Sequence, residues 1–157
     1  MFIVGDIPKF VNKDEVICIP SKDPTKIKHY NMLYKIGQVI DSTDIGKDND
    51  GIFLVSSDDH FYIEKTDFSR YPVYYVGKDL PTEIPKKNKE WYTCLTNTRK
   101  ILEEYNLPVV RFNWHGNTYF NSKLWHDPLF EEIKSKSLEV KEGLEPTAIM
   151  LNYWLSV

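Results

Sequence analysis

Pro81 and Pro85 bracket a short segment that interrupts the chain near its middle. Proline lacks a backbone N–H and holds φ fixed, so neither residue can sit inside a helix or a central strand. The segment therefore ends one kind of structure and starts another. Before it lie short apolar runs separated by turn residues, the last being Tyr71-Pro72-Val73-Tyr74-Tyr75. After it comes a lysine cluster that leads directly into a helical pattern. The predicted organisation is a barrel over residues 1–80, a linker over 81–87 and a smaller α+β domain over 88–157.

A length of 157 residues allows one compact domain or two small ones that lean on each other. The 41% hydrophobic content is enough for a packed core. No apolar stretch approaches the roughly 20 residues of a membrane span. The opening Met1-Phe2-Ile3-Val4-Gly5-Asp6 has no basic leader and reads as no signal peptide. Cys18 and Cys94, far apart in apolar segments, form neither a zinc pattern nor a disulfide framework. A reduced, cytoplasmic protein is expected, in the host cytoplasm if the chain is phage-encoded.

The net charge of −3 argues against strong nonspecific attraction to nucleic acid, but its distribution is uneven. Residues 1–84 carry 10 Lys/Arg against 14 Asp/Glu, and residues 85–157 carry 10 against 9. Lys86, Lys87, Lys89, Arg99, Lys100 and Arg111 face only Glu90, Glu103 and Glu104 over the same stretch. Local potential governs encounter more than net charge does.

The first half reads as five short strands. Val16–Ile19 is closed by Pro20, and Leu33–Ile40 holds Gly37 as a bulge or bend. Asp48-Asn49-Asp50-Gly51 turns into Ile52–Val55, which a hairpin at Ser57–His60 joins to Phe61–Glu64. Val73–Val76 is the fifth. Short strands of this kind, curled to remove their edges, predict a small barrel.

The order Lys13–Ile19, Tyr34–Ile40 and Gly51–Val55 resembles an SH3-like barrel of the KOW/Tudor type, over roughly residues 9–76. The loop before the second strand is longer than the usual KOW turn and lacks its glycine. The whole chain resembles the early transcription modulators of T-even phages, and that resemblance implies a DNA-binding protein with a KOW barrel.

The second half has the clearest patterning. Trp91, Cys94, Leu95, Thr98, Ile101, Leu102 and Tyr105 fall on one face of a helix. Asn88 is its predicted N-cap, and Asn106 and Pro108 mark its end. Val109–Phe112 reads as a strand. Asp127-Pro128 starts a second helix, with Leu129, Ile133 and Val140 as its buried stripe and Gly143 as its end. Ala148 to Leu155, almost continuously apolar, reads as a terminal strand covered on both faces. The predicted class is α+β, a five-stranded SH3-like barrel followed by a domain with two helices and a few strands.

Four constellations carry possible chemistry. Lys86, Lys87 and Lys89 beside Trp91 and Tyr92, with Arg99 and Lys100 further along, could neutralise phosphates and add stacking. An ordinary solvated helix face, with Trp91 in the core, is the commoner outcome. Tyr62, Phe68, Tyr71, Tyr74 and Tyr75 could form a cage or stacking platform with Arg70 beside them. Filling a barrel is the commoner use of such rings, and Asp58, Asp59, Glu64 and Asp67 would repel a phosphate. His115, His126 and Asp127 match no metal-ligand spacing, and Asp127 is already explained as a cap. Asp41, Asp44, Asp48, Asn49, Asp50 and Gly51 lack the EF-hand register. No phosphate-loop, nucleophile-elbow or zinc-protease motif is present.

These readings predict a non-enzymatic DNA-binding accessory protein, phage-encoded, that modulates transcription or nucleoid function. It would bind double-stranded DNA with weak sequence preference, without cofactor or metal and away from membranes. Lys86, Lys87, Lys89, Arg99, Lys100 and Arg111 would contact phosphates, Trp91 or Tyr74 would pack on sugars or bases, and Arg70 would assist. The alternative is an interaction module that binds a host protein, such as a polymerase subunit or a defence component.

Overall fold

A computed structural model describes residues 2–45, 50–56, 67, 72–73, 75–112 and 117–157. The chain order is β1 (Phe2–Gly5), β2 (Ile17–Pro20), α1 (Lys28–Ser42), β3 (Ile52–Val55), β4 (Tyr75–Asp79) and α2 (Lys89–Glu104). There follow β5 (Val110–Phe112), β6 (Thr118–Asn121), α3 (Ser122–Trp125), α4 (Pro128–Ser135), a 3-10 turn at Lys136–Leu138, and α5 (Pro146–Trp154).

The α+β class holds, but the five-stranded barrel does not. Among the described residues the strands form three separate two-stranded sheets, β1 with β2 in parallel, β3 with β6 and β4 with β5 antiparallel. The stretch expected to be the second strand, Leu33–Ile40, lies inside α1. Its buried Leu33, Ile36, Gly37 and Ile40 recur at helical spacing, so one stripe faces the core. Gly37 is not a bulge. It lies in the helix opposite the Trp125 indole, whose nearest atom would stand 3.4 Å from a Cβ at this position, an ordinary contact. Phe61–Glu64 falls outside the described residues. The expected fifth strand begins at Tyr75 instead of Val73 and runs to Asp79.

The predicted terminal strand is also a helix. Glu145 precedes Pro146 and accepts hydrogen bonds from the Thr147 and Ala148 backbone N–H groups. This is the same start that Asp127 and Pro128 give α4, where Asp127 accepts from Leu129 N–H at 2.9 Å. In α5, Pro146 and every residue from Ala148 to Tyr153 are buried. A helix apolar all round belongs in a core. One side of it, through Ile149, Met150 and Tyr153, joins Leu33, Ile36, Phe120, Phe130 and Ile133. Ala148 joins Leu80, Leu95 and Leu102 in a second cluster. Elements from both sides of the Pro81–Pro85 segment thus share one interior.

Asn152 is the polar residue that this helix buries completely. Its Oδ1 accepts from Val110 N–H at 2.8 Å, and its Nδ2 donates to Val110 O at 2.9 Å and to Ala148 O at 2.8 Å. The side chain imitates a strand partner for β5 and holds the β4–β5 ribbon against α5.

The helix of the second half forms where its pattern places it. Its stop is a left-handed Asn106 (φ 55°), with Asn106 N–H donating to Glu103 O and Leu107 N–H to Leu102 O at 2.8 Å. Asn88 sits at the N-cap position in the left-handed region (φ 54°), yet its side chain caps nothing. In α4 Phe130 and Ile133 are buried and Leu129 is exposed, and the helix closes at Ser135, so the expected Val140 lies beyond it. Cys18 and Cys94 are free thiols, and burial pushes the Cys94 thiol up.

Glu145 makes stability depend on pH. Burial pushes its carboxyl from 4.5 up to about 7, against the two backbone donors that favour the charged form. The folded chain therefore holds this proton more tightly than the unfolded chain does. That contribution is complete below the unfolded value and disappears as pH rises through about 7. Urea unfolding should show about 2–3 kcal/mol less stability from this group at pH 8 than at pH 4.5. The Glu145→Gln variant should lack that component, and parallel pH profiles for the two proteins would contradict the assignment.

Candidate nucleic-acid interface

The apolar stripe of α2 fixes which of its side chains can meet a partner. Cys94, Leu95, Thr98, Ile101 and Leu102 are buried, so Lys89 and Lys100 emerge on the opposite side. They lie 11 residues apart, which is three turns and roughly 16 Å along the axis. Thr96, which lies between them in sequence, is buried and turns its hydroxyl back to Tyr92 O and Thr93 O. Lys86 and Lys87 are exposed in the segment that enters the helix. Among the described residues none of these four lysines forms an ion pair, although Glu90, Glu103 and Glu104 are exposed on the same helix.

The two arginines are held differently. Arg99 Nη1 donates to Leu80 O at 2.6 Å and Nε to Glu103 Oε1 at 2.8 Å. Its donors are committed to bracing the Pro81 segment against α2, so Arg99 is a structural clamp more than a phosphate contact. Arg111, on β5, holds its guanidinium 5.9 Å from the centre of the Tyr92 ring. Because Tyr92 lies one turn beyond Lys89, this packing sets Arg111 near Lys89. Tyr92, expected beside the lysines, is the ring on which Arg111 packs.

Trp91 is not a free stacking platform. It is half-buried against the Leu80–Leu95–Leu102 cluster, with its ring 5.5 Å from His29. The His29 ring is in turn bonded at Nδ1 to Glu142 O at 2.8 Å, and burial lowers its pKa below 6.5. Arg70 and Tyr74, with Tyr62, Phe68 and Tyr71, lie outside the described residues, and so does His115. His126 sits 3.5 Å from Asp41 and 3.8 Å from Glu131. Asp50, from the acidic turn, pairs with Lys123 at 3.2 Å. Among the described residues no three His, Cys, Asp or Glu side chains gather as metal ligands. No helix among them is long and apolar enough to cross a membrane.

A concave feature elsewhere was not legible in the sequence. A cleft of about 310 Å³ lies between α1 and α4, lined by Tyr30, Tyr34, Gln38, Asp41, Trp125 and Glu131 among others. Lys134 Nζ lies 3.9 Å from the centre of the Trp125 ring system and donates to Trp125 O and Glu131 Oε1, both at 2.8 Å. Burial pulls its pKa down while Glu131 raises it. The 34, 38 and 41 spacing is helical, but it has that meaning only once α1 is a helix.

Comparison with family models, with curated proteins and with solved structures finds no significant match to this chain.

Replacing Arg99 by alanine removes a charged donor from a carbonyl that has little access to water. The expected loss is about 1–2 kcal/mol in urea unfolding. Nucleic-acid affinity of the folded variant should change less than about twofold. A large affinity loss without loss of stability would restore Arg99 to the contact surface.

Proposed function

We propose that this chain is a non-enzymatic accessory protein that binds DNA through the phosphate backbone. The observation that carries the reading is the set of exposed lysines Lys86, Lys87, Lys89 and Lys100, free of ion pairs among the described residues, with Arg111 held over Tyr92 one turn from Lys89. Lysine ammonium groups act as point charges on phosphates and release condensed counterions, without reading bases. A helix as rich in glutamate as this one binds weakly, so low salt and a concentrated duplex are the conditions that reveal the contact. The surface belongs to the α2 face and β5, and no barrel takes part in it. Modulation of transcription or of nucleoid structure would follow from occupying duplex DNA in this way.

A band-shift series with a duplex of about 30 base pairs tests the reading. With four or five phosphates neutralised, the log–log salt slope should be about −4, a loss of roughly 250-fold between about 50 and 200 mM salt. Reversing Lys86, Lys87 and Lys89 to glutamate should weaken binding by at least about tenfold with an unchanged circular dichroism spectrum. No retention at the lowest salt, or retention indifferent to these substitutions, would end the proposal.

A further inference from the structure

The β1–β2 pair is a sheet left incomplete. Parallel strands pair slightly less strongly than antiparallel ones and normally lie in larger sheets with both faces covered. Here β1 lies against α1, whereas β2 has β1 as its one strand partner among the described residues. Ile17 of β2 is 54% exposed although it is large and apolar. One bond fixes which way the backbone of β2 turns. Ser21 N–H donates to Gly5 O at 3.4 Å just beyond the last paired residue, so the odd-numbered residues of β2 direct their N–H and C=O groups at β1. Cys18 and Pro20 direct theirs outward, and none of these groups bonds to backbone beyond the β1–β2 pair among the described residues. Pro20, which has no N–H to leave unpaired, suits that open edge.

The residues around Cys18 are complementary to themselves. Asp14 and Lys22 stand four residues before and four residues after it, with opposite charge. Both are exposed, and neither forms an ion pair among the described residues. Lys13 and Asp23 continue the same inverted pattern, although Asp23 is already held by Lys35 at 2.7 Å. Flanks that mirror each other in position and oppose each other in sign attract a second copy laid antiparallel. They repel one laid parallel in register.

We infer that this chain forms a two-fold dimer in which β2 pairs antiparallel with β2 of a second copy, centred on Cys18. Cys18 of each chain donates its N–H to the C=O of the partner's Cys18. Ile17 is covered by the partner's Ile19, and Asp14 lies across from the partner's Lys22. Pro20 ends the ladder on each side, and a self-complementary contact of this kind closes at two chains. Each chain brings one short strand, so the contact is small and the association weak. The dimer does not rest on DNA binding and uses none of the α2 lysines.

Sedimentation equilibrium of the full chain tests this, under reducing conditions and without DNA, up to a concentration of about 1 mM. A reversible dimer is expected, with a dissociation constant roughly between 10 μM and 1 mM. Asp14→Lys and Lys22→Asp should each weaken the homodimer by at least about fivefold with an unchanged circular dichroism spectrum. An equimolar mixture of the two variants restores opposite charges at both ends, so it should form a heterodimer within about threefold of the parent's affinity. A short bismaleimide should link Cys18 to Cys18 in the parent and leave the buried Cys94 unreacted. A chain that stays monomeric at about 1 mM, leaving the edge to a strand of another protein or to water, would overturn the inference. So would a dimer indifferent to either charge reversal, a mixture that does not recover, or crosslinked chains without the Cys18–Cys18 product.

Discussion

The carboxamide of Asn152 takes the place of a neighbouring strand for β5, and much of the architecture depends on that substitution. A two-stranded ribbon such as β4–β5 is barely stable in water by itself. Its free backbone groups need partners, and Val110 finds both of its partners on one side chain of α5. In return the ribbon covers the helix, so a polar group with no exposure has all its hydrogen bonds made. Thr98 joins the two helices in a similar way, its hydroxyl donating to Cys94 O and accepting from Glu145 N–H at the start of α5. The position of Arg111 beside α2 follows from these contacts.

The cations divide according to how much water they lose. Lys134 keeps little access to solvent, and Arg99 is half-buried; each is surrounded by carbonyl, carboxylate or aromatic partners. Burying an ammonium without such partners would cost several kcal/mol, so these two are not available to a ligand. Lys86, Lys87, Lys89 and Lys100 keep their hydration and lose little by exchanging it for phosphate oxygens. A count of charges along the chain treats both groups alike. Only the packing distinguishes a cation that holds the fold from one that can meet a partner.

Where local signals and tertiary burial agree, the sequence is readable. The stripe from Trp91 to Tyr105 is long enough to define a helix, and Asp127-Pro128 starts one through its own side chain and ring. Ile52–Val55 and Val110–Phe112 are strands as their β-branched character suggests. Leu33–Ile40 is ambiguous by pattern, because Gly37 suits a strand bulge while Leu33, Ile36, Gly37 and Ile40 also fit a helix. Ala148–Leu155 has no polar face, and periodicity cannot tell a buried strand from a buried helix. Glu145-Pro146 held the answer. With both segments helical, the described residues hold no set of strands from which a barrel could close. The exposure of Lys89 and Lys100 is readable from the helix pattern. The bond from Arg99 to Leu80 O and the α1–α4 cleft join residues far apart in sequence, and no local pattern announces them.

Hydrogen exchange at the Val110 amide is the most direct test of the role given to Asn152. If the side chain of α5 truly replaces a strand, this N–H should exchange only as slowly as the α5 backbone itself, through opening of the whole core. Exchange at the rate of a solvated edge strand, while α5 stays protected, would show that the ribbon is held by something else and would contradict the account.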